Sequence, residues 1–426
     1  MPATLLQGSE NEVVLEVRVP LGSDMLANEE AIQQALHQAG NLATQQALER
    51  FDTDGAPIVV GNRRLKVRAK MPKEFQTPYG SVVVERYVYQ ASSGGRVYIP
   101  LDQAARIVVT STPKLAKTLC HKYAALPGVS KVVEDLEQNH GRHVAPGTVQ
   151  RVADAVATVC LAKEETWAYA LPELAAPVAS IGVGLDGACM MLVNDGWREA
   201  MTGTLALYDG EGTRLHTTYL AASPEYGKAA FLASLERELG RMRALFPAAV
   251  VVGLADGAAS NWTFLETHTD VQTVDFYHVS TYLATAAAGV FLEAEPRRVW
   301  LDDACHRLKH QARAPTALLD ELRGFLNRTL RQAARQAVQA AVTYFENQHA
   351  RMTYAQNVAQ HLPLGSGVTE AACKVIVKER MCISGGRRWT ERGASTVLSL
   401  RCLTHTRGRW QDFWAKISRY GVSCET

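Results

Sequence analysis

The chain has 426 residues, of which 47% are hydrophobic and 21% are charged, and its formal net charge is +2. This composition is ordinary for a soluble globular protein, and the length allows two or three domains with a sizeable core. So small a net charge does not by itself indicate a nucleic-acid partner. The sequence has no apolar run of about eighteen residues, so it predicts no membrane-spanning segment.

Cysteine usage and the N-terminal residues both predict a cytoplasmic protein. No two cysteines form a CxxC pair, which argues against a zinc ribbon or a disulfide framework and favours reduced thiols. The N-terminus lacks a basic segment followed by an apolar core, so a secretory signal is not expected. The eight cysteines stand at positions 120, 160, 189, 305, 373, 382, 402 and 424.

Positive charge is concentrated near the C-terminus. From Lys374 to Arg419 there are eleven Lys or Arg and three Asp or Glu, a local excess of +8. A basic end on a nearly neutral chain fits contact with a polyanion, although a solvated helical face would carry the same charges.

The first 110 residues predict a mixed helical and β-hairpin region. Residues 25–52 are rich in Ala and Gln with apolar residues at helical spacing, which predicts a helix. Residues 79–99 have β-rich runs on either side of SSGG, which is typical of a hairpin.

Residues 111–162 predict three short helices in a helix-turn-helix-like module. Pro113 favours the start of the first helix, and Ser130 is the predicted N-cap of the second. The third helix would present Thr148, Gln150 and Arg151 near its start, and Arg151 is therefore a candidate DNA contact. A small three-helix unit without DNA-binding activity is the alternative.

Residues 178–277 predict an α/β domain. Three strands with tight connections come first, and helix, strand, helix and strand follow. A mixed sheet in this order is typical of an RNase H-like fold, whereas a doubly wound fold would alternate strand and helix from the start. The predicted sheet places its first and fourth strands side by side.

The chain from 278 to 360 is almost wholly helical and predicts an insertion within the catalytic domain. Pro296 and Pro315 break it into pieces, of which the piece 317–349 is long and rich in Ala, Arg, Gln and Leu. Residues 361–426 then return to the catalytic domain, beginning with a loop and a helix.

Two aspartates end two neighbouring strands of the predicted sheet. Asp186 lies in GLDGA and Asp256 in GLADGAA, and the Gly-Ala after each allows close approach of backbone or substrate. Two adjacent carboxylates repel each other unless a cation binds between them, and Mg²⁺ prefers such oxygen ligands. Each Asp-Gly pair, taken singly, is also typical of an ordinary turn.

Glu370 is the predicted third carboxylate. It follows the loop GSG in the first turn of a helix, where the helix dipole favours an anion, although a capping role is the simpler reading. Together Asp186, Asp256 and Glu370 would hold two Mg²⁺ or Mn²⁺ ions that promote an in-line attack on a phosphodiester.

Several motifs together resemble bacterial insertion-sequence transposases of the DDE class, specifically the ISKra-type group. They are LDGA, ADGAASNW, DFYHVSTYL, GSGVTEAACK and the C-terminal run SGGRRWTERGASTVLSLRCLTHTRGRWQDFW. The resemblance covers most of the chain. It implies a bacterial, nucleoid-associated enzyme that cleaves the DNA at element ends and joins it to a target. It also implies that Asp186, Asp256 and Glu370 bind the metal ions.

One stretch departs from this pattern. Relatives often carry a cysteine pair in the hairpin before the PLD motif, but here the stretch is YQASSGGRVYIPLD. A zinc site in the hairpin is therefore not expected.

Further candidates surround the three acids. Asp275 and His278 in DFYH would end the fifth strand, where His278 either contacts the scissile phosphate or orients water, or else caps the next helix. Lys374, Lys378 and Arg380 follow Glu370 and are expected to contact phosphates.

The C-terminal run adds candidates of two kinds. Arg387, Arg388 and Trp389 follow two glycines and suit a DNA backbone or an unstacked base. Trp410 and Trp414 are expected to be core or interface residues.

Two alternatives to a transposase stay open. One is a nuclease of the same fold that does not join strands, and the other is a non-catalytic DNA-binding protein derived from a transposase. A transposase is expected to bind double-stranded DNA of element ends and target as a homodimer or larger assembly, because two ends must be paired.

Overall fold

The computed structural model describes residues 3–9, 11–224, 227–328, 330–383 and 388–422. The chain is mixed α/β and divides into two compact units. Unit 1 comprises Met1–Tyr169, Ser399–Thr404 and Arg409–Thr426, and unit 2 comprises Ala170–Leu398 and His405–Gly408. Within the described ranges, every helix is too short or too polar to cross a membrane.

Unit 1 begins with strands and one long helix. Two strands form an antiparallel pair, and four more form an antiparallel sheet in chain order. The elements are β1 (Ala3–Gly8), β2 (Val13–Val17), α1 (Met25–Glu49), β3 (Ile58–Val60), β4 (Arg63–Gln76), β5 (Ser81–Ala91) and β6 (Gly94–Tyr98). The predicted helix and the β5–β6 hairpin are confirmed, but β3 and β4 were not predicted.

The turn between β4 and β5 explains why the longest strand pair of unit 1 forms. The Thr77 hydroxyl accepts hydrogen bonds from the Tyr79 and Gly80 amides, at 3.0 and 3.1 Å. Beyond this turn, Phe75 lies opposite Val82 and both are buried. The apolar face of the pair packs in a small core. That core contains Leu48, Phe75, Val82, Val84, Leu101, Ala105 and Ile107.

Three helices follow a short one, as the sequence predicts for residues 111–162. They are α3 (Pro113–Ala125), α4 (Val129–His140) and α5 (Pro146–Lys163), after α2 (Pro100–Ala104). Pro113 and Pro146 each lie in the first turn, where a missing amide proton has no cost. The prediction of Ser130 as N-cap was wrong, because α4 begins at Val129 and its N-cap position is Gly128.

Unit 2 is built on a five-stranded sheet with the order β11-β10-β7-β8-β9. Its elements are β7 (Ser180–Leu192), β8 (Gly196–Tyr208), β9 (Arg214–Ala222), α6 (Gly227–Leu245), β10 (Val250–Ala255), α7 (Ala259–His268) and β11 (Val271–Val274). Strands β7, β8 and β9 are antiparallel neighbours, whereas β10 is parallel to both β7 and β11. The predicted element order is confirmed, and so is the adjacency of the first and fourth strands.

Helices follow the sheet along the chain. They are α8 (Phe276–Val290), α9 (Ala294–His310), α10 (Ala314–Leu326), α11 (Gln332–Gln348), a 3₁₀ turn (His349–Arg351) and α12 (Tyr354–Ala359). The prediction that this region is almost wholly helical is confirmed, and the piece 317–349 divides between α10, which ends at Leu326, and α11, which begins at Gln332. The break allows Leu318 and Phe345 to pack in the same core as the sheet.

The last elements are α13 (Gly367–Ala372), a π-helical segment (Cys373–Lys378), α14 (Glu379–Met381), α15 (Glu391–His405) and α16 (Arg409–Tyr420). Helix α16 belongs to unit 1, whereas the sequence assigned all of 361–426 to the catalytic domain. Trp410 and Trp414 are buried, which confirms the expectation that they are core residues.

Candidate active site

The register between two parallel strands positions the two predicted aspartates. Gly184 of β7 lies opposite Leu254 of β10. Asp186 and Asp256 each come two residues after that pair, on neighbouring strands that are about 4.8 Å apart. Asp256 directly follows β10, as predicted. The prediction that Asp186 ends its strand was wrong, because β7 continues beside β8 to Leu192. Both aspartates are half-buried, which leaves oxygen atoms open to solvent.

Asp186 is oriented by two donors. Its Oδ1 accepts a hydrogen bond from the Gly187 amide at 2.7 Å, and its Oδ2 accepts one from Cys373 Sγ at 3.5 Å. Burial, with the nearby Asp186 charge as a second cause, raises the pKa of the Cys373 thiol to about 12. The thiol is therefore a donor toward the carboxylate at neutral pH.

Asp256 sits in a turn that α11 supports. Its Oδ1 accepts a hydrogen bond from the Ala258 amide at 3.2 Å. The next residue, Gly257, has a φ of +117°, a backbone conformation that glycine adopts readily and other residues rarely adopt. The Tyr344 hydroxyl donates to the Asp256 carbonyl at 2.7 Å, and Gln348 donates to the Gly257 carbonyl at 3.3 Å. The helical region thus fixes the backbone that carries one of the two aspartates.

Glu370 lies in the first turn of α13, as predicted. This helix packs closely on β7, because a Cβ atom on Gly184 would stand 1.9 Å from Thr369 Oγ1. The Thr369 hydroxyl is also hydrogen-bonded to Thr204 of β8 at 2.7 Å. Glycine on β7 and this buried hydroxyl pair therefore bring the helix that carries Glu370 onto the strand that carries Asp186.

Asp275 joins the end of β11 to the loop before α13. It is 1% exposed and caps α8 by accepting from the His278 amide at 2.8 Å. Its second oxygen accepts from the Ser366 amide and from Ser366 Oγ, the latter at 3.0 Å. A Cβ atom on Gly365 would stand 2.6 Å from that same oxygen. Capping is thus the role of Asp275 itself, and His278 lies inside the first turn of α8.

His278 and Glu370 face each other, with Nε2 and Oε1 3.4 Å apart and each side chain 40% exposed. Ser366 Oγ also donates to Glu370 Oε1 at 3.2 Å. Across the described residues, one group of three potential metal ligands has all its ligand atoms within 4.8 Å of one another, and it is Asp275, His278 and Glu370. Asp186 and Asp256 lie outside that compact group.

The donor set suits hard divalent cations. Two ions about 4 Å apart, each about 2.1 Å from its ligands, join carboxylates whose oxygens are roughly 8 Å apart. Ligands of a two-ion site therefore need not fall within one compact group. Because Asp275 is buried and already accepts three hydrogen bonds, Glu370 and His278 are the members of the compact group with accessible ligand atoms.

Two polar residues near the acids were not singled out from the sequence. Asn261 is buried and donates to the Leu185 carbonyl at 3.2 Å, next to Asp186. Lys228 Nζ donates to Ser260 Oγ at 2.7 Å and to Asn261 Oδ1 at 2.9 Å. The motif ADGAASNW contains the Asn, but its partner is far away in sequence, so only the fold reveals the pair.

The predicted phosphate contacts after Glu370 divide into exposed and buried groups. Lys374 and Lys378 are exposed on the π-helical segment. Arg380 is 2% exposed and lies over the Trp389 ring, 4.9 Å from its centre. The expectation that Arg380 contacts phosphates was therefore wrong, because packing removes its side chain from the surface.

Trp389 is half-buried, and its Nε1 donates to the Met381 carbonyl at 3.0 Å. Its amide donates to the Met191 carbonyl at 2.9 Å, which ties this loop to β7. Base stacking by Trp389 stays a prediction. Arg388 is exposed, and Arg387 lies outside the described residues.

In the three-helix part of unit 1, Arg151 is exposed near the start of α5 and donates to Thr148 Oγ1 at 3.3 Å. Thr148 itself is buried, so the prediction that it faces outward was wrong. Gln150 is half-buried between Tyr123 and Asp154. Of the three residues predicted at this helix start, Arg151 is the one available to a partner.

Comparison with known proteins leaves the family open. No protein-family model matches the chain, and no curated protein matches it. The resemblance to transposases therefore rests on sequence motifs such as LDGA, ADGAASNW and GSGVTEAACK.

Proposed function

We propose that this chain is a DDE-type DNA transposase whose unit 2 is an RNase H-like catalytic domain. The observation that carries the proposal is the parallel pairing of β7 with β10. It puts Asp186 and Asp256 at equivalent positions of neighbouring strands, while Cys373, one turn after Glu370, contacts Asp186. This strand register and this contact support a site that draws on three acids remote in sequence, two from the sheet region and one from α13.

The strand order supports the RNase H-like assignment. Three antiparallel strands are followed by two that are parallel to the first, with the fourth beside the first. In open sheets that contain parallel strands, ligands bind outside the carboxyl ends of those strands. Asp256 and Asp275 directly follow such strands, and Asp186 lies on β7 two residues beyond its last pairing with β10.

Asp186, Asp256 and Glu370 would hold two Mg²⁺ or Mn²⁺ ions. When bound, the ions would activate a water or a 3′-hydroxyl and neutralise the leaving oxygen of the phosphodiester. His278 beside Glu370 would act as a catalytic residue that orients the attacking group or pairs with a phosphate oxygen. Lys374, Lys378 and Arg388 would contact the DNA backbone, and Arg151 a separate stretch of double-stranded DNA.

Cleavage and joining of two element ends would require a homodimer or a larger homo-oligomer. The reaction would need double-stranded DNA both as element ends and as target. A nuclease with the same acids would cleave without joining, so detection of joined products separates the two functions.

The test compares carboxylate variants in two assays. In Mn²⁺, wild type is expected to nick plasmid DNA and to join a labelled duplex with a free 3′-hydroxyl to that plasmid. Asp186→Asn, Asp256→Asn and Glu370→Gln are each expected to lose both activities by at least about a thousandfold, because each removes charge stabilisation at the reacting phosphate. Calorimetry should show weaker Mn²⁺ binding in the same variants.

Matched controls come from exposed acids of the same unit. Asp195 lies in the β7–β8 turn and Glu379 lies on α14. Asp195→Asn and Glu379→Gln should retain Mn²⁺ binding and both activities. Nicking without joined products would support the nuclease instead, and full activity in Asp256→Asn would rule out the proposed metal site.

A further inference from the structure

The distal end of the sheet in unit 1, formed by residues 58–70 and 87–98, has an unusual charge. It contains six Lys or Arg and no Asp or Glu. Five of them occupy alternate or adjacent positions of β4, and all six side chains belong to exposed residues. They are Arg63, Arg64, Lys66, Arg68, Lys70 and Arg96. We call this set the basic hairpin end.

Three of these cations share one face of the sheet. Lys66 lies directly opposite Gln90 of β5, so both side chains point to the same side. Arg68, in a bulge between Val67 and Ala69, donates to Gln90 Oε1 at 3.3 Å. Arg64 is two residues before Lys66 and lies on that side by the alternation of a strand. A row of three positive charges results.

The cations of the basic hairpin end are available to a partner. Among the residues that the structure describes, none of the six forms an ion pair with a carboxylate, whereas Arg86 of the same sheet pairs with Asp102. Lys70 lies over the Tyr87 ring, with Nζ 4.9 Å from its centre, on the opposite face. Close like charges without counterions repel each other, so an anionic partner would relieve that repulsion.

The spacing of the row fits duplex DNA. Residues two apart on a strand are about 6.8 Å apart, and one strand of DNA carries one phosphate per about 3.4 Å of helix axis. The row therefore meets roughly every second phosphate.

We propose that the basic hairpin end is a second DNA-binding surface, with Arg64, Lys66 and Arg68 contacting the phosphates of duplex DNA. The proposal rests on the proposed function for the identity of the partner, but not for metal binding or catalysis. The three cations lie on β4, which is outside both the three-helix module of residues 111–162 and the C-terminal basic run. The surface is therefore additional to the DNA contacts under the proposed function.

The test measures DNA binding without catalysis. The full chain with Asp256→Asn is titrated with a labelled DNA duplex of random sequence in EDTA, between 50 and 200 mM salt. Adding Arg64→Gln, Lys66→Gln and Arg68→Gln is expected to weaken binding at least tenfold. It should also make the slope of log K against log salt shallower by about 2.7, since each phosphate contact contributes about 0.9.

Two matched variants keep the result interpretable. Arg18, Arg298 and Arg323 are exposed and ion-paired, so replacing all three with Gln removes the same charge and should leave the slope unchanged. Arg64→Lys with Arg68→Lys keeps the charge and should retain the wild-type slope. Circular dichroism and the Tm of each variant verify folding.

Three outcomes would overturn the proposal. One is an unchanged salt slope in the folded triple Gln variant, and another is the absence of duplex binding by the Asp256→Asn chain. The third is stronger competition by duplex RNA or anionic vesicles than by DNA, which would indicate a different partner. Because EDTA excludes metal-dependent cleavage, none of these results depends on whether the carboxylate site is catalytic.

Discussion

The five-stranded sheet of unit 2 and the four-stranded sheet of unit 1 carry opposite charges, each near one end. In unit 2, Asp256 directly follows β10, and Asp186 lies on the neighbouring parallel strand β7, just beyond the part that pairs with β10. In unit 1, Arg64, Lys66 and Arg68 stand along one antiparallel strand. Under the two proposals both ends act on phosphates, one through metal ions and the other directly. The acidic site depends on the meeting of distant segments, whereas the basic row needs only local alternation.

The largest expected effect distinguishes the role of the carboxylates in unit 2 from that of the basic hairpin end in unit 1. Asp256→Asn should lose cleavage by at least about a thousandfold and keep its metal-free affinity for DNA, because phosphate binding by side chains needs no cation. The triple Gln variant of the basic hairpin end should show the reverse, with a raised KM and nearly normal kcat at saturating DNA. Plasmid nicking kinetics on both variants measure kcat and KM. A fall of kcat in both variants would indicate that the carboxylates and the basic hairpin end form a single site.

A smaller effect is expected from His278→Gln. The imidazole lies 3.4 Å from Glu370 and is exposed, so its loss should lower the cleavage rate roughly a hundredfold. His306→Gln, at an exposed position of α9, is the matched control and should cleave normally. Single-turnover nicking in Mn²⁺ measures the rate, and wild-type cleavage by His278→Gln would leave the residue without a catalytic role.

Gly184→Ala tests the packing that brings Glu370 to the sheet. The added methyl group would collide with Thr369 Oγ1, so a loss of about 1–3 kcal/mol in the free energy of unfolding is expected, together with weaker Mn²⁺ binding. Gly240→Ala on α6 meets no atom within 4 Å and should be neutral or slightly stabilising. Urea unfolding and calorimetry measure both quantities. Wild-type stability in Gly184→Ala would contradict the close packing.

The smallest expected effect concerns a buried thiol of unit 1. Burial raises the pKa of Cys120 above its ordinary value of 9.0, so above pH 9 the thiol ionises only in the unfolded chain. Stability is therefore present below pH 9 and falls as the pH rises, by at most about 1.4 kcal/mol per pH unit for this group. Cys120→Ala should show a shallower decline in urea unfolding between pH 8 and 10. Cys189→Ala, at an exposed position, should decline like wild type.

Local patterns were sufficient to predict most elements of unit 2. The tight connections between β7, β8 and β9 and the apolar run of β10 specify strands, and the helical spacing of 226–246 specifies α6. The prediction failed where a local signal was weak. Six Lys or Arg in β4 conceal the strand pattern, and no Gly or Pro stands in the connection between Leu326 and Gln332.

The sequence predicted the positions of two of the acids but not their surroundings. Asp256 follows β10 and Glu370 lies in the first turn of α13, as predicted, whereas Asp186 lies within β7 rather than at its end. The hydrogen bonds from Ser366 to Asp275 link residues 91 positions apart, which no local pattern indicates. The burial of Arg380 under Trp389 was equally hidden, since a basic residue in a basic run is expected at the surface.

By itself the sequence determined which residues have acidic or basic side chains, the order of strands and helices in unit 2, and the mixed α/β fold class. Periodicity and turn residues act between near neighbours, so those features are local. Only the tertiary structure decided that a glycine admits the Glu370 helix, that Asp275 accepts from Ser366, and which cations stay exposed. Those outcomes depend on packing between distant segments, whose free energy no local pattern contains.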